Sequence, residues 1–355
     1  MSFQRFKNCL FEPAAQGLPG LIHILSDAKA NYSINSFLLL PYAPPHFNIS
    51  PSFYRFEGVI RTDMSPLMQY TDMEYPIRMK SKTPKAIYIK NVQKLKEEIQ
   101  KGNIYEINYC MEFYAENIHI DPLNIFLKLN ELAKAPYSRL VKLGDEYIIC
   151  SSPELFLKKE GHIISTKPIK GTIRRGRNTE EDLALKNELQ NNLKERTENV
   201  MAVDVARNDL SMFAKKGSVH VNKLYNIETF ETVHQMVSTV SCEIRENTSF
   251  EKIIESTFPM ASMTGAPKLR AMQLIDEYED FERNYYSGAM GSIDEKGDFT
   301  LSVIIRSIFY NQKTKKLSIA VGSAITHLSD PEKEYEECLL KAKALLHVLN
   351  ATIID

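Results

Sequence analysis

The sequence contains no Cys-x-x-Cys pair, no long basic run and no apolar stretch close to the length of a membrane span. Each absence excludes a class of protein. Its five cysteines (Cys9, Cys110, Cys150, Cys242, Cys338) are scattered and odd in number. That fits the reduced thiols of a cytoplasmic protein better than a disulfide framework, and it offers no zinc site. Lys and Arg number 44 against 45 Asp and Glu, a net charge of -1, so the electrostatic footprint of a nucleic-acid binder is missing. The longest apolar patches, such as Phe37 to Leu40, fall far short of the roughly 20 residues a membrane helix needs. Met1 to Gln16 lacks the uninterrupted apolar core of a signal peptide. No internal repeat or low-complexity segment is visible. What remains is a chain of 355 residues, 43% of them apolar, enough for one large domain or two ordinary ones with a sizeable core, and it is read as one domain over 1–355.

The element pattern is mixed. Residues 1–75 give weak signals: Ser36 to Leu40 reads as a strand, and Pro41, Pro44, Pro45 and Pro51 break the segment after it. Asn91 to Lys101 has the apolar spacing of a helix, with Val92, Leu95 and Ile99 on one face and Gly102 past its end. A strand over Gly102 to Tyr109 comes next. Tyr137 to Lys170 reads as a meander of short strands (Ser138–Val141, Tyr147–Cys150, Leu155–Lys158, His162–Thr166) with turns at Gly144-Asp145 and Glu160-Gly161. Thr179 to Asn208 is helical in pattern, with Leu183, Leu189, Leu193, Val200 and Met201 as core. Pro267 to Glu279 is a second helix, with proline at its first position. Thr300 to Tyr310 and Leu317 to Val321 form a hairpin, and Asp330-Pro331 opens a last long helix through Leu349. Many strands with several long helices give an α+β fold.

Four features carry chemistry. Thr166-Lys167-Pro168-Ile169-Lys170-Gly171-Thr172 succeeds a β-branched run and is broken by proline and glycine, so it reads as a strand running into a tight turn. Lys170 there is either an exposed turn lysine or, desolvated beside Arg174 and Arg175, a nucleophile of lowered proton affinity. Glu195/Glu198 and Glu334/Glu337 are two Glu-x-x-Glu pairs on helices. Like charges at that spacing need a cation. Either they are solvated faces neutralised by Lys194, Arg196, Lys333 and Lys341, or they hold a metal. Arg306 interrupts the apolar run Leu301 to Phe309 and needs a buried anion, either a partner such as Asp204 or Asp209 or a ligand. Thr264-Gly265-Ala266-Pro267 precedes a helix N-terminus, which serves as a capping loop, an anion site or both.

Taken in order, Ser152-Pro153-Glu154, the Lys170 heptapeptide, Lys194-Glu195-Arg196-Thr197-Glu198-Asn199, Val203-Asp204, Arg207-Asn208-Asp209, Thr264 to Lys268, Tyr286-Ser287-Gly288-Ala289-Met290-Gly291, Ile305-Arg306 and Glu334-Tyr335-Glu336-Glu337 resemble the chorismate-utilising enzymes. The resemblance spans roughly residues 80–348, leaving 1–75 as a variable N-terminal part. Lysine in Pro-Ile-Lys-Gly-Thr is similar to the aminodeoxychorismate synthases of that family, where anthranilate synthases carry alanine. The resemblance implies two large, mostly antiparallel sheets packed face to face with helices outside, and an active site in a cleft.

It also implies roles. Mg²⁺ is held by Glu198 and Glu337, with Glu195 and Glu334 as water-mediated partners. Arg306, with Tyr286 beside it, binds one chorismate carboxylate. The Val321 to Thr326 segment, including Gly322 and Ser323, offers backbone N–H groups to the other, with Ala324 where relatives have glycine. Lys341 faces the same pocket, Thr264 and Gly265 line it, and His234 lies near the ring, although a lone histidine otherwise reads as a satisfied core residue. Met260-Ala261 replaces the Gly-Gly more usual in relatives. Glu106 stands where isochorismate and salicylate synthases carry a lysine base, so direct water addition is disfavoured. Glu106 otherwise reads as a solvent-facing strand residue. Glu154 protonates the leaving C4 hydroxyl while Lys170 attacks C2, and ammonia then enters at C4. No glutaminase motif is recognisable, so a separate glutamine amidotransferase subunit is the expected ammonia source. The Leu-Leu-Glu-Ser motif that holds inhibitory tryptophan in anthranilate synthases is missing from the N-terminal part.

Overall fold

The protein is represented by a computed structural model that describes residues 6–13, 20–29, 31–43, 51–62, 76–230 and 233–354. Pro44, Pro45 and much of the Met1 to Gln16 segment lie outside the described residues. In chain order the elements are β1 (Asn8–Glu12), β2 (Gly20–Leu25), β3 (Ser36–Leu40), β4 (Ser52–Thr62), β5 (Ile77–Ser81), α1 (Lys85–Gln100) and β6 (Glu106–Ala115). Helix α2 (Pro122–Ala133) leads to β7 (Tyr137–Leu143), β8 (Glu146–Ser152), β9 (Leu155–Glu160), β10 (Ile163–Lys167) and β11 (Ile169–Arg174). Helices α3 (Thr179–Asn191) and α4 (Leu193–Ser211) precede β12 (His220–Thr229) and β13 (Val233–Glu243). Then come α5 (Phe250–Thr257), the short β14 (Gly265–Ala266), α6 (Lys268–Tyr278), β15 (Ala289–Ile293), β16 (Phe299–Val303), β17 (Ser307–Asn311), β18 (Lys316–Ile325), α7 (Pro331–Val348) and β19 (Ala351–Ile354).

The strands form two sheets that share β4. One sheet runs β4, β2, β1, β7, β8, β17, β18, β6, β5, β19, with β14 on the start of β6. The other runs β4, β3, β15, β16, β9, β10, β13, β12, and β11 continues beyond β10 along β13. Among the described residues these strands pair antiparallel, except β19 on β5. Side chains alternate across a strand, and the core follows that period. Phe37, Leu39 and Met290 of one sheet meet Leu10, Val141, Ile148 and Cys150 of the other between the sheets. The alternate residues Leu38, Leu40 and Leu301 face α4 and α5, while Tyr109, Met111, Ile149 and Ile319 face α1, α2 and α7. This is the expected α+β arrangement of two facing sheets with helices outside. The N-terminal strands are woven into both sheets. All five cysteines are buried thiols, and no described helix is long and apolar enough to cross a membrane.

Several boundaries differ from the sequence reading, each for a physical reason. Helix α1 starts at Lys85, behind Pro84, and the next strand begins at Glu106. The meander is interrupted: β8 and β9 belong to different sheets, and Ser152-Pro153-Glu154 carries the chain between them. The 179–208 helix is two helices, because Asn192 leaves the helical conformation and its side chain caps α4 by accepting the Glu195 N–H. Leu183 and Leu193, expected in the core, are exposed, and Ala202, Val203, Ala206 and Leu210 are buried instead. The strand over Thr300 to Tyr310 is also two, β16 and β17 in different sheets, with Arg306 at the break in a left-handed conformation (φ 52°). Asp330 caps α7 by accepting the Lys333 N–H, which leaves Pro331 at a position needing no donor.

Candidate active site

Pro168 does not end its strand in a tight turn. Strands β10 and β11 both pair with β13, and the register shifts between Ile169 and Thr172. The Ser238 N–H donates to Pro168 O across this irregularity (3.2 Å). Gly171 has φ 82°, and a Cβ there would lie 2.8 Å from Glu195 Oε2. Glycine at 171 therefore lets α4 come close to β11. The result is that Lys170 points inward and is buried, and it forms an ion pair with Glu106 at the start of β6. Glu106 is thus not solvent-facing. Arg174 and Arg175 turn away, to Glu181 and Asp182.

The neighbours of Lys170 are therefore acids, and the expected loss of proton affinity is reversed. Burial pulls the Lys170 ammonium down, but Glu106, Glu198 and Glu154 outweigh it and hold the group above its ordinary range. Glu154, on the link between the sheets, is pushed up to about 7 by burial, with Ser262, Lys170 and Lys341 acting the other way. Burial likewise raises Glu198 to about 8 against the pull of Lys170, with Glu106 adding to the rise.

Helices α4 and α7 bring the two Glu-x-x-Glu pairs together. Lys194 stands among them, its Nζ 2.9 Å from Glu334 Oε1, 3.7 Å from Glu198 Oε1 and 4.0 Å from Glu337 Oε2. Glu198 Oε1 and Glu334 Oε2 are buried without a hydrogen-bond donor among the described residues. Glu195 is raised by burial. Burial also pushes Glu337 up, yet Lys341 (2.7 Å) outweighs it and the net shift is downward.

The far wall carries positive charge and free backbone. Arg306 donates to Lys341 O (3.2 Å) and lies near Tyr286 and Glu337. Neither alternative partner takes it: Asp204 is paired with Arg207, and Asp209 with Lys268. The Val321 to Thr326 segment is not a loop, since β18 runs to Ile325 paired with β6. Its pairing with β17 stops at Ile319, so from Ala320 onward that edge has no strand beside it among the described residues. Lys341 Nζ donates to Gly322 O there (2.7 Å). A Cβ on Gly322 would strike Cys110 Sγ at 2.4 Å. The Ser323 hydroxyl bonds Tyr88 on the helix side (2.9 Å), leaving only its backbone for a ligand. Ala324 is not among the left-handed residues, so it carries no strain.

Thr264 and Gly265 run beside β6, where the Asn108 N–H donates to Thr264 O (2.8 Å) and Gly265 opposes Ile107. The Thr264 hydroxyl donates to Met260 O (3.0 Å). A Cβ on Gly265 would come within 2.2 Å of Glu106 O, so these residues seat Glu106 rather than offer side chains. The departure at Met260-Ala261 leads into a short 3₁₀ turn, Ala261–Met263, which brings Ser262 beside Glu154. His234 is outside this cluster in its bonding. Thr229 Oγ1 and Asp182 Oδ1 take its two ring nitrogens (3.0 Å each), and Asp182 also grips Arg175.

The cluster thus joins acids, lysines and an arginine that forms no ion pair among the described residues, from six separate stretches of chain. Residues 59–347 match the family described as chorismate binding enzyme. This chain belongs to the chorismate binding enzyme family. The match begins before the roughly 80–348 span read from the motifs. Aminodeoxychorismate synthase, chloroplastic, of Arabidopsis thaliana is 40% identical over 260 residues, 72% of this chain and 28% of that protein. Aminodeoxychorismate synthase component 1 of Bacillus subtilis (strain 168) is 37% identical over 73% of this chain and 54% of its own length. Anthranilate synthase component 1 of Acetivibrio thermocellus is also 37% identical, over 81% and 58%. The chain therefore spans less than two thirds of these relatives.

Among solved structures, anthranilate synthase component I from Streptococcus pneumoniae TIGR4 superposes with TM-score 0.75 at 23% identity, over 90% of this chain and 83% of that one. DhbC from Bacillus anthracis gives 0.77 at 18% identity, over 97% and 96%. At those identities the likeness concerns the fold. The family motifs account for most of the cluster. Motif reading gave less to Lys194, seen only as a neutralising neighbour, and none to Ser262. For Lys194 the available signal was its i,i+4 spacing to Glu198. For Ser262 there was none, because its link to Glu154 depends on where two distant loops meet.

Proposed function

We propose that this chain is the chorismate-converting component of an aminodeoxychorismate synthase, exchanging the C4 hydroxyl of chorismate for an amino group supplied as ammonia by a glutamine amidotransferase subunit. The product would be 4-amino-4-deoxychorismate, the precursor of p-aminobenzoate. The observation that carries this reading is the buried Lys170, within one cluster with Glu106, Glu154 and Glu198. A nucleophile there separates this chemistry from direct attack at C2.

The resting Lys170 is an ammonium, so it must first pass a proton to its contact partner Glu106. The freed amine then bonds to C2, both ring double bonds shift, and the C4–O bond breaks. Glu154, still partly protonated near neutrality, gives its proton to the departing hydroxyl, which leaves as water. Ammonia bonds to C4 and passes a proton to Glu154, both double bonds shift back, and Lys170 is released and regains its proton from Glu106. Arg306, in no ion pair with a carboxylate among the described residues, and the open edge of β18 suit the substrate carboxylates. Glu198 and Glu337, supported by Glu195 and Glu334, are hard oxygen donors. Two of the set, Glu198 and Glu334, hold buried, unbonded oxygens, and the four fit Mg²⁺. Bound there, Mg²⁺ would supply positive charge to the ring carboxylate.

The test is incubation with chorismate, Mg²⁺ and ammonium salt, with the product identified by mass and ultraviolet spectrum. The expected product is aminated at C4, and glutamine should not replace ammonium for the isolated chain. Formation of anthranilate or isochorismate would overturn the assignment.

A further inference from the structure

Lys194 has an arrangement that an ordinary helix pair does not explain. An i,i+4 lysine would serve Glu198 alone, yet its shortest contact is Glu334 on α7, 140 positions away (2.9 Å). Its Nζ also lies 3.7 Å from Glu198 Oε1 and 4.0 Å from Glu337 Oε2. It therefore stands among three of the four carboxylates assigned to the metal. Those spacings suit an ammonium, and among the described residues no three acids converge into a ready metal cage. Mg²⁺ demands oxygens at about 2.0–2.1 Å, so the carboxylates must draw in, and an ammonium between them cannot remain.

We propose that Lys194 is the resident counter-ion of these carboxylates, a tethered cation that a divalent ion must displace on entering. This rests on the metal reading under Proposed function. The other lysines cannot play the part. Lys170 is enclosed and paired with Glu106, and Lys341 is tied to both Glu337 and Gly322 O. Lys194 keeps 32% of its side chain exposed, so it has solvent to withdraw into. While it sits among the acids, α4 and α7 stay joined without metal. The apparent metal affinity is the intrinsic affinity scaled by the fraction of molecules in which Lys194 is already withdrawn.

The experiment compares wild type, Lys194→Met and Lys194→Gln, without substrate. Mn²⁺ binding is measured by calorimetry and the melting midpoint in chelator. Both variants should bind Mn²⁺ more tightly, on the order of tenfold, and melt lower than wild type in chelator, with Mn²⁺ restoring the midpoint. If Lys194→Met does not fold without metal, Lys194→Gln, which keeps a hydrogen-bond donor for Glu334, carries the comparison. Glu337→Gln is the control for the metal site. If wild type binds Mn²⁺, the control does not, and neither Lys194 variant binds tighter, the counter-ion role is overturned and the metal site stands. If neither wild type nor the variants bind Mn²⁺, the metal reading falls and this inference with it.

Discussion

Replacing Lys170 by alanine removes the proposed nucleophile and also the ammonium that Glu106 contacts. The first loss is chemical. With no amine to bond at C2, formation of the C4-aminated product should fall at least about 10³-fold in kcat, roughly 4 kcal/mol of barrier. KM should change little, because the amine acts after the substrate is seated. A trace of C2-aminated product is expected, since ammonia can then attack only directly. The second loss is structural. Removing one partner of a buried ion pair costs about 3–5 kcal/mol. Denaturant unfolding of the variant beside wild type would show that loss. Lys170→Gln keeps the volume and separates packing from charge. Mass spectrometry of wild type with chorismate and no ammonia should find a modified peptide containing Lys170. If Lys170→Ala makes the C4-aminated product at a near wild-type rate, the nucleophile reasoning is wrong, and the case against an anthranilate synthase weakens with it.

Further outcomes can be checked. Glu154 is raised to about 7 by burial, so its proton-donating form is present below that value, and kcat should fall as pH rises through it. Glu154→Gln should lose most activity together with that limb of the pH profile. Glu154 and Glu198 are both raised above the ordinary 4.5, to about 7 and about 8, so the native state favours their protonated forms. The metal-free chain should be most stable below about 4.5 as far as these groups are concerned and should lose that contribution as pH rises through 7–8; a melting midpoint in chelator that rises over this window would contradict it. Gly171→Ala puts a Cβ into Glu195 at a left-handed backbone position (φ 82°), and denaturant unfolding should show a loss of about 1–3 kcal/mol. Arg306→Ala should raise KM for chorismate by roughly tenfold or more, the worth of a charged hydrogen bond, with a smaller change in kcat.

Features encoded within a few residues were legible in the chain before it folded. Asp330-Pro331 announced the start of α7, the alternating runs announced β7 to β10, and the Glu-x-x-Glu spacings placed each pair on one helix face. The ordered motifs located Glu154, Lys170, Glu198, Arg306 and Glu337. Which sheet each strand joins came from tertiary structure. Pro153 and Arg306 mark crossings between sheets, and neither crossing shows in local periodicity. The core face of α4 came from the fold as well, because Asn192 broke a helix that apolar spacing had read as continuous. Above all, the fold set the charge. The local sequence puts Lys170 beside Arg174 and Arg175, yet the fold turns those away and brings in Glu106 from 64 positions upstream. Caps and periods depend on backbone geometry over one or two turns. A buried group's protonation depends on every charge within several ångströms, and long-range pairing of β6, β11, α4 and α7 sets which charges those are.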